Sequence, residues 1–171
     1  MRAIKTIGIN SNQPVGRGFN FPYDLAVLED GNDNPNIYLI NRSASASSTG
    51  TRIQYFTFEE EWLGEFGNSD SGEDMGFVRP VCAAFDESHN LYVTDEATDE
   101  IKVFTKTGQF CRKIGLRNIG LDDLGENLRF GPSGIYIDAE GNITVASRHR
   151  NQVIKITEQG FLLNSFGSAG A

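Results

Sequence analysis

Arg148-His149-Arg150, between Ser147 and Asn151, sets two arginines around a histidine. Two guanidinium groups flanking an imidazole can grip a carboxylate or phosphate through paired, charge-assisted hydrogen bonds. The plainer reading is a solvated loop in which Arg150 pairs with nearby acids. Opposite in sign are two Gly-rich runs, residues 68–76 with Asp70, Glu73 and Asp74, and residues 121–127 with Asp122, Asp123 and Glu126. Carboxylates of this kind suit Ca2+, yet neither run has EF-hand spacing, and clustered acids in a linker are ordinarily just hydrated. A catalytic Zn2+ takes about three protein ligands. The chain offers His89, His149, Cys82 and Cys111, none at ligand spacing. No metal site and no cofactor is expected, with Ca2+ and Zn2+ as minor alternatives. There is no Gly-x-Ser-x-Gly nucleophile elbow, no P-loop and no dinucleotide fingerprint.

The element that must position these groups is a repeat. Residues 77–115 lie without gaps on residues 129–167 at an offset of 52. Pro80 meets Pro132, Asp86 meets Asp138, Asn90 meets Asn142, Gly108 meets Gly160 and Gly115 meets Gly167. A third copy, residues 19–67, aligns once four extra residues in its first turn and six in its next loop are allowed for. A self-match of this period signals a repeat array.

Each copy contains four short runs of alternating apolar and polar residues; in the middle copy they are 81–86, 90–94, 100–105 and 109–114. Period-2 alternation between turn-forming residues reads as strand. Gly108, Gly141 and Gly160 stand where tight hairpins need positive φ. No helical period appears. The expected fold is all-β: a propeller of three four-stranded antiparallel blades, forming a partial ring. The expected organisation is one domain over 1–171, with an orphan outer strand and linker at 1–16 and blades at 17–67, 76–115 and 127–167. Residues 3–8, Ala-Ile-Lys-Thr-Ile-Gly, match the last strand of a copy whose other strands are missing. Stable rings have roughly 4–8 blades, so a missing C-terminal half or a second copy is needed to close this one. Uncovered apolar blade faces would self-associate.

With 23 Asp and Glu against 15 Lys and Arg, the net charge is −8. A bare phosphate backbone is repelled on average, which argues against nucleic acid as a partner. Cys82 and Cys111 fall in different strands of one copy and read as free thiols rather than a disulfide. No apolar run fits a signal peptide or membrane span. If Met1 is the natural start, the expected location is the cytoplasm.

The pattern of the copies, fullest in the middle one, is Pro-x-x-apolar-x-apolar-Asp, then Gly/Ser-x-Asn-apolar-x-Val-x-Asp, then Ile-x-Val-Phe-x-x-x-Gly, closing on apolar-Gly, with Glu60 replacing the last-turn Gly in the first copy. Pro80, Asp86, Asn90, Val93, Asp95, Ile101, Val103, Phe104, Gly108, Ile114 and Gly115 fill that pattern. The pattern resembles the NHL repeat over most of residues 17–167. The Asp ending the second strand is Asn41 in the first copy and Ser147 in the third, a departure that weakens single turns. NHL propellers as a family include protein-interaction modules, RNA binders, ligand sensors and metal-dependent lyases or hydrolases, so the resemblance leaves function open.

In such a fold the linkers between blades share a face with the loops joining second to third strands. Here those loops are long, and binding usually develops on variable loops of a rigid scaffold. The ligand-binding candidates are Asn41 and Arg42 of the first copy, Asp95 of the second, and Arg148, His149 and Arg150 of the third. Asp24 joins them from a first strand, where Cys82 and Gly134 are its counterparts. The leading expectation is a non-catalytic scaffold that binds a protein or small-molecule ligand on the long-loop face. The alternative is a metal-dependent lyase or hydrolase in the channel, completed by further blades.

Overall fold

A computed structural model of the chain describes residues 7–8, 15–29, 31, 35–43, 50–68, 71–119 and 129–167. Twelve strands form three four-stranded antiparallel sheets, each ordered as in the sequence. The first sheet holds β1 Pro22–Leu28, β2 Asn36–Asn41, β3 Arg52–Thr57 and β4 Trp62–Phe66. The second holds β5 Pro80–Phe85, β6 Asn90–Asp95, β7 Glu100–Thr105 and β8 Phe110–Gly115. The third holds β9 Pro132–Ile137, β10 Ile143–Ser147, β11 Gln152–Ile156 and β12 Leu162–Phe166. The inner strands β1, β5 and β9 lie beside one another, and the sheets do not close into a ring. Among the described residues, no helix is long and apolar enough to cross a membrane.

The residues shared between copies now have physical jobs. In the first hairpin of the second sheet, Asp86 Oδ1 accepts the Asn90 N–H at 2.7 Å, and in the third sheet Asp138 Oδ1 accepts the Asn142 N–H at 2.8 Å. A side chain that satisfies its own turn explains the recurring Asp and Asn. Each inner strand carries a register shift just after its leading Pro or at the facing strand end, at Pro22/Asp24, Pro80/Cys82 and Ala146/Ser147. Repeated bulges bend all three inner strands alike.

Apolar side chains pack between sheets on both faces of the middle one. Leu91, Val93 and Phe104 meet Tyr38, Ile40 and Ile53 of the first sheet. Tyr92, Ile101, Val103 and Ile114 meet Phe130, Ile143, Val145 and Ile154 toward the third. β6 is therefore buried on both faces, which accounts for its three successive apolar residues Leu91, Tyr92 and Val93. The outer flanks carry the same columns without a partner. On the third sheet Tyr136 and Phe166 are 64% and 57% exposed, in the columns of Ala84 and buried Ile114. On the first, Leu25 and Val27 are exposed beside Ile37, Leu39 and Phe56.

The expected orphan strand at 3–8 lies outside the described residues except for Ile7 and Gly8. Those two repeat a known contact. Gly8 sits against the Phe19 ring as Gly67 sits against Phe77, both at positive φ and both too close for a Cβ. Ile7 packs on the first sheet's flank with Phe19 and Phe56.

Three buried cations tie the linkers to the sheets. Arg52 donates to the carbonyls of Gly16 and Gly18 and pairs with Glu65 at 2.9 Å. Lys102 Nζ donates to the carbonyls of Glu73 and Gly76. Arg150 donates to the carbonyls of Arg117 and Ile119. Burial lowers the pKa of all three, offset in part by nearby carboxylates such as Glu65, or Asp95 and Glu100.

Candidate functional site

Two sets of loops share one face because the backbone ties them together. The first residue after each second strand donates to the segment that leads into the inner strand of its own sheet. Arg42 N–H bonds the Phe21 carbonyl at 3.1 Å, Glu96 N–H that of Arg79 at 3.0 Å, and Arg148 N–H that of Gly131 at 2.9 Å. The short hairpins, such as Asp86–Asn90 and Asp138–Asn142, lie at the other strand ends.

That recurring bond puts Arg42, Glu96 and Arg148 in one structural column across all three sheets, and their side chains converge. Glu96 Oε1 lies 3.7 Å from Arg42 Nη2 and 3.6 Å from Arg79 Nη1, and its Oε2 lies 3.5 Å from Arg148 Nη1. The Glu96 side chain is 9% exposed, whereas those of Arg79 and Arg148 are 57% and 62% exposed. The Arg42 guanidinium stands 4.5 Å over the Tyr23 ring, a cation–π contact that fixes its plane. A hollow of about 250 Å³ beside it is lined by Pro22, Tyr23, Asp24, Leu25 and Leu39.

A second group adjoins this one. Asp99, fully buried, accepts the Gly131 N–H at 2.8 Å and pairs with Arg117 and Arg129 at 3.4 and 3.3 Å. Arg129 links the groups by donating to the carbonyls of Glu96 and Ala97. Five arginines against three carboxylates, the third being the buried Asp95, leave this part of the face at +2, on a chain whose net charge is −8.

The candidates divide into exposed and structural groups. Arg42 and Arg148 come together, with His149 exposed beside them and its ring close against Gly131. Arg150 does not join them; it is fully buried and holds the linker at Arg117 and Ile119. Asp95 is fully buried, accepting the N–H groups of Val78, Arg79, Ala97 and Thr98. Asn41 is buried in the same column, accepting the Asn20 N–H and donating to Gln54. Arg79 and Glu96 were missed by sequence reasoning. The signal for Glu96 was present, since the copies disagree there: Arg, Glu, Arg.

Asp24 accepts the Ala83 N–H of the next inner strand at 3.0 Å and lies against the Cys82 thiol. Cys82 in turn contacts the backbone of Ile135 in β9. These side chains bridge inner strands that do not pair directly. Burial, with the Asp24 hydrogen bond and charge, pushes the Cys82 thiol from 9.0 up to about 11. A raised acid penalises the folded thiolate, so this contribution to stability is intact below about pH 9 and is lost as pH rises through about 11. We expect Cys111, which is exposed, to alkylate at pH 8 well before Cys82. Peptide mass mapping after brief iodoacetamide treatment checks this, and equal labelling would contradict it.

Among the described residues, no three His, Cys, Asp or Glu side chains gather as metal ligands. Asp70, Asp122, Asp123 and Glu126 lie outside the described residues. Asp74 pairs with Lys113 at 2.8 Å, which holds its carboxyl below the usual range.

The architecture matches known structures. The fold is that of a propeller. Virginiamycin B lyase from Staphylococcus aureus superposes with a TM-score of 0.63 at 16% identity, over 95% of this chain and 45% of that one. A gluconolactonase from Xanthomonas campestris gives 0.63 at 17%, over 96% and 52%. Hydrazine synthase from Kuenenia stuttgartiensis gives 0.61 at 18%, over 99% and 41%. The chain thus spans about half the length of the solved structures it resembles. No protein-family model matches the sequence, and no curated protein matches it significantly. At these identities the likeness carries the fold alone.

Proposed function

We propose that this chain is part of an NHL-type propeller serving as a non-catalytic scaffold that binds a protein or small ligand through its long-loop face. The observation that carries the reading is the convergence of Arg42, Arg79 and Arg148 on Glu96, with two of the three guanidiniums exposed. Residues that the copies share are occupied with turns, bulges and linkers, so the differing column is where binding can reside. For any ligand the chain retains, Arg42→Ala with Arg148→Ala is expected to weaken affinity at least about tenfold, roughly 1.4 kcal/mol. The control His89→Ala, in a hairpin on the opposite face, is expected to leave it unchanged. Equal affinity of the double variant and the parent in calorimetry would refute this location.

A second reading draws on the lyase and the lactonase among the similar structures. In it the inner wall carries a metal-dependent lyase or hydrolase site, to which Asp24 contributes and further blades supply the remaining ligands. Elemental analysis of the complete ring tests it. Stoichiometric metal whose loss abolishes turnover would favour this reading, and absence of metal with unchanged stability in chelator would remove it.

A further inference from the structure

We propose that Arg42, Arg79 and Arg148, gathered on Glu96, form a site for a dianionic oxyanion group, a phosphate monoester of a small ligand being the type that fits. This deepens the preceding reading and rests on the long-loop face being the binding face. Three independent segments supply the cations: the end of β2, the approach to β5 and the end of β10. All three sheets therefore contribute, and the array is positioned by the backbone bonds that order those loops.

Glu96 holds the array without saturating it. Its contacts of 3.5–3.7 Å are longer than the roughly 2.7–2.9 Å of a full charge-assisted bond. Each guanidinium keeps most of its five donors, and among the described residues the side chains of Arg79 and Arg148 have no partner besides Glu96. With the adjoining Arg117 and Arg129 and the buried Asp95 and Asp99 counted, five guanidiniums against three carboxylates leave two positive charges, which a dianion neutralises and a monoanion only halves. The nearly buried carboxylate keeps like charges together before a ligand arrives, so less ordering is required on binding. The surrounding net charge of −8 selects against long polyanions, whose further phosphates meet repulsion. A compact phosphate does not.

The test is an amide-shift titration of the 171-residue chain with inorganic phosphate at pH 8 and constant ionic strength, run beside a set of uncharged fragments. The expected result is saturable shifts at residues 79, 96, 131 and 148. Affinity should fall at least about tenfold in Arg79→Ala/Arg148→Ala and hold in Lys113→Ala, a surface cation elsewhere. Absence of saturable shifts at those residues, or equal affinity in the double variant, overturns the proposal. If phosphate fails while uncharged fragments shift the same amides, the oxyanion inference falls and the binding-face reading stands. If every shift maps to the short hairpins instead, both fall.

Discussion

Asp95→Ala is expected to cost about 3–5 kcal/mol of folding stability, the largest effect of any single substitution considered. The Asp95 carboxylate is fully buried and accepts four backbone N–H groups, those of Val78, Arg79, Ala97 and Thr98, at 2.7 to 3.4 Å. Truncation leaves those donors in a site water reaches poorly, and an unsatisfied buried donor costs roughly 1–3 kcal/mol. It also removes a charge that offsets the desolvation of Lys102. Against a total stability of about 5–15 kcal/mol, such a loss leaves a marginal protein. Asp95→Asn keeps one acceptor and should cost less than half as much, since Asn41 does the same work in the first sheet with a single accepted N–H. Urea denaturation followed by circular dichroism measures both. A loss below about 1 kcal/mol for the Ala variant would contradict the structural role assigned to Asp95.

The second large effect concerns the uncovered flanks. The 171-residue chain is expected to self-associate, with a mass in solution at least twice 18.8 kDa. The free face of the third sheet repeats the columns by which the second packs on the third, and the free face of the first repeats those by which the second packs on the first. The two are complementary by construction. Fully burying one large apolar side chain yields about 1.5–3 kcal/mol, and Tyr136, Phe166, Leu25 and Val27 all stand exposed. The same contact serves a second copy or further blades, the two proposed ways of completing the ring. Light scattering across a concentration series reads the mass. Tyr136→Lys with Phe166→Lys should return a monomer, because two charges buried at that face would lack partners. A parent chain that stays monomeric throughout would show that the flanks are not interfaces.

The fold was legible because its signal is redundant. Three copies agree on Pro80, Asn90 and Gly115 or their counterparts and two agree on Asp86, and these positions serve the bulges, the turns and, at Gly67 and Gly167, close approaches. In the middle blade the strands run Pro80–Phe85, Asn90–Asp95, Glu100–Thr105 and Phe110–Gly115, within a residue of the alternating runs. The site was legible only in part. Arg42 and Arg148 stood out as cations in one column, but nothing local distinguishes buried Arg150 from exposed Arg148 two residues earlier. Their fates differ because linker carbonyls at Arg117 and Ile119 reach one and not the other. Arg79 was invisible for a related reason: its column holds Phe21 and Gly131 in the other copies, and only the folded backbone brings it to Glu96. Asp95 drew notice as a polar residue ending a strand, and its four accepted N–H groups make it scaffold.

We propose the column of Arg42, Glu96 and Arg148 as the binding surface. The most direct measurement is amide-shift mapping of the chain with a chemically mixed fragment library containing anionic, cationic and neutral members. Shifts are expected to concentrate at residues 42, 79, 96, 131 and 148, with anionic fragments producing the largest. Shifts concentrated at the opposite hairpins, residues 86–90 and 138–142, with the arginine column silent, would contradict it.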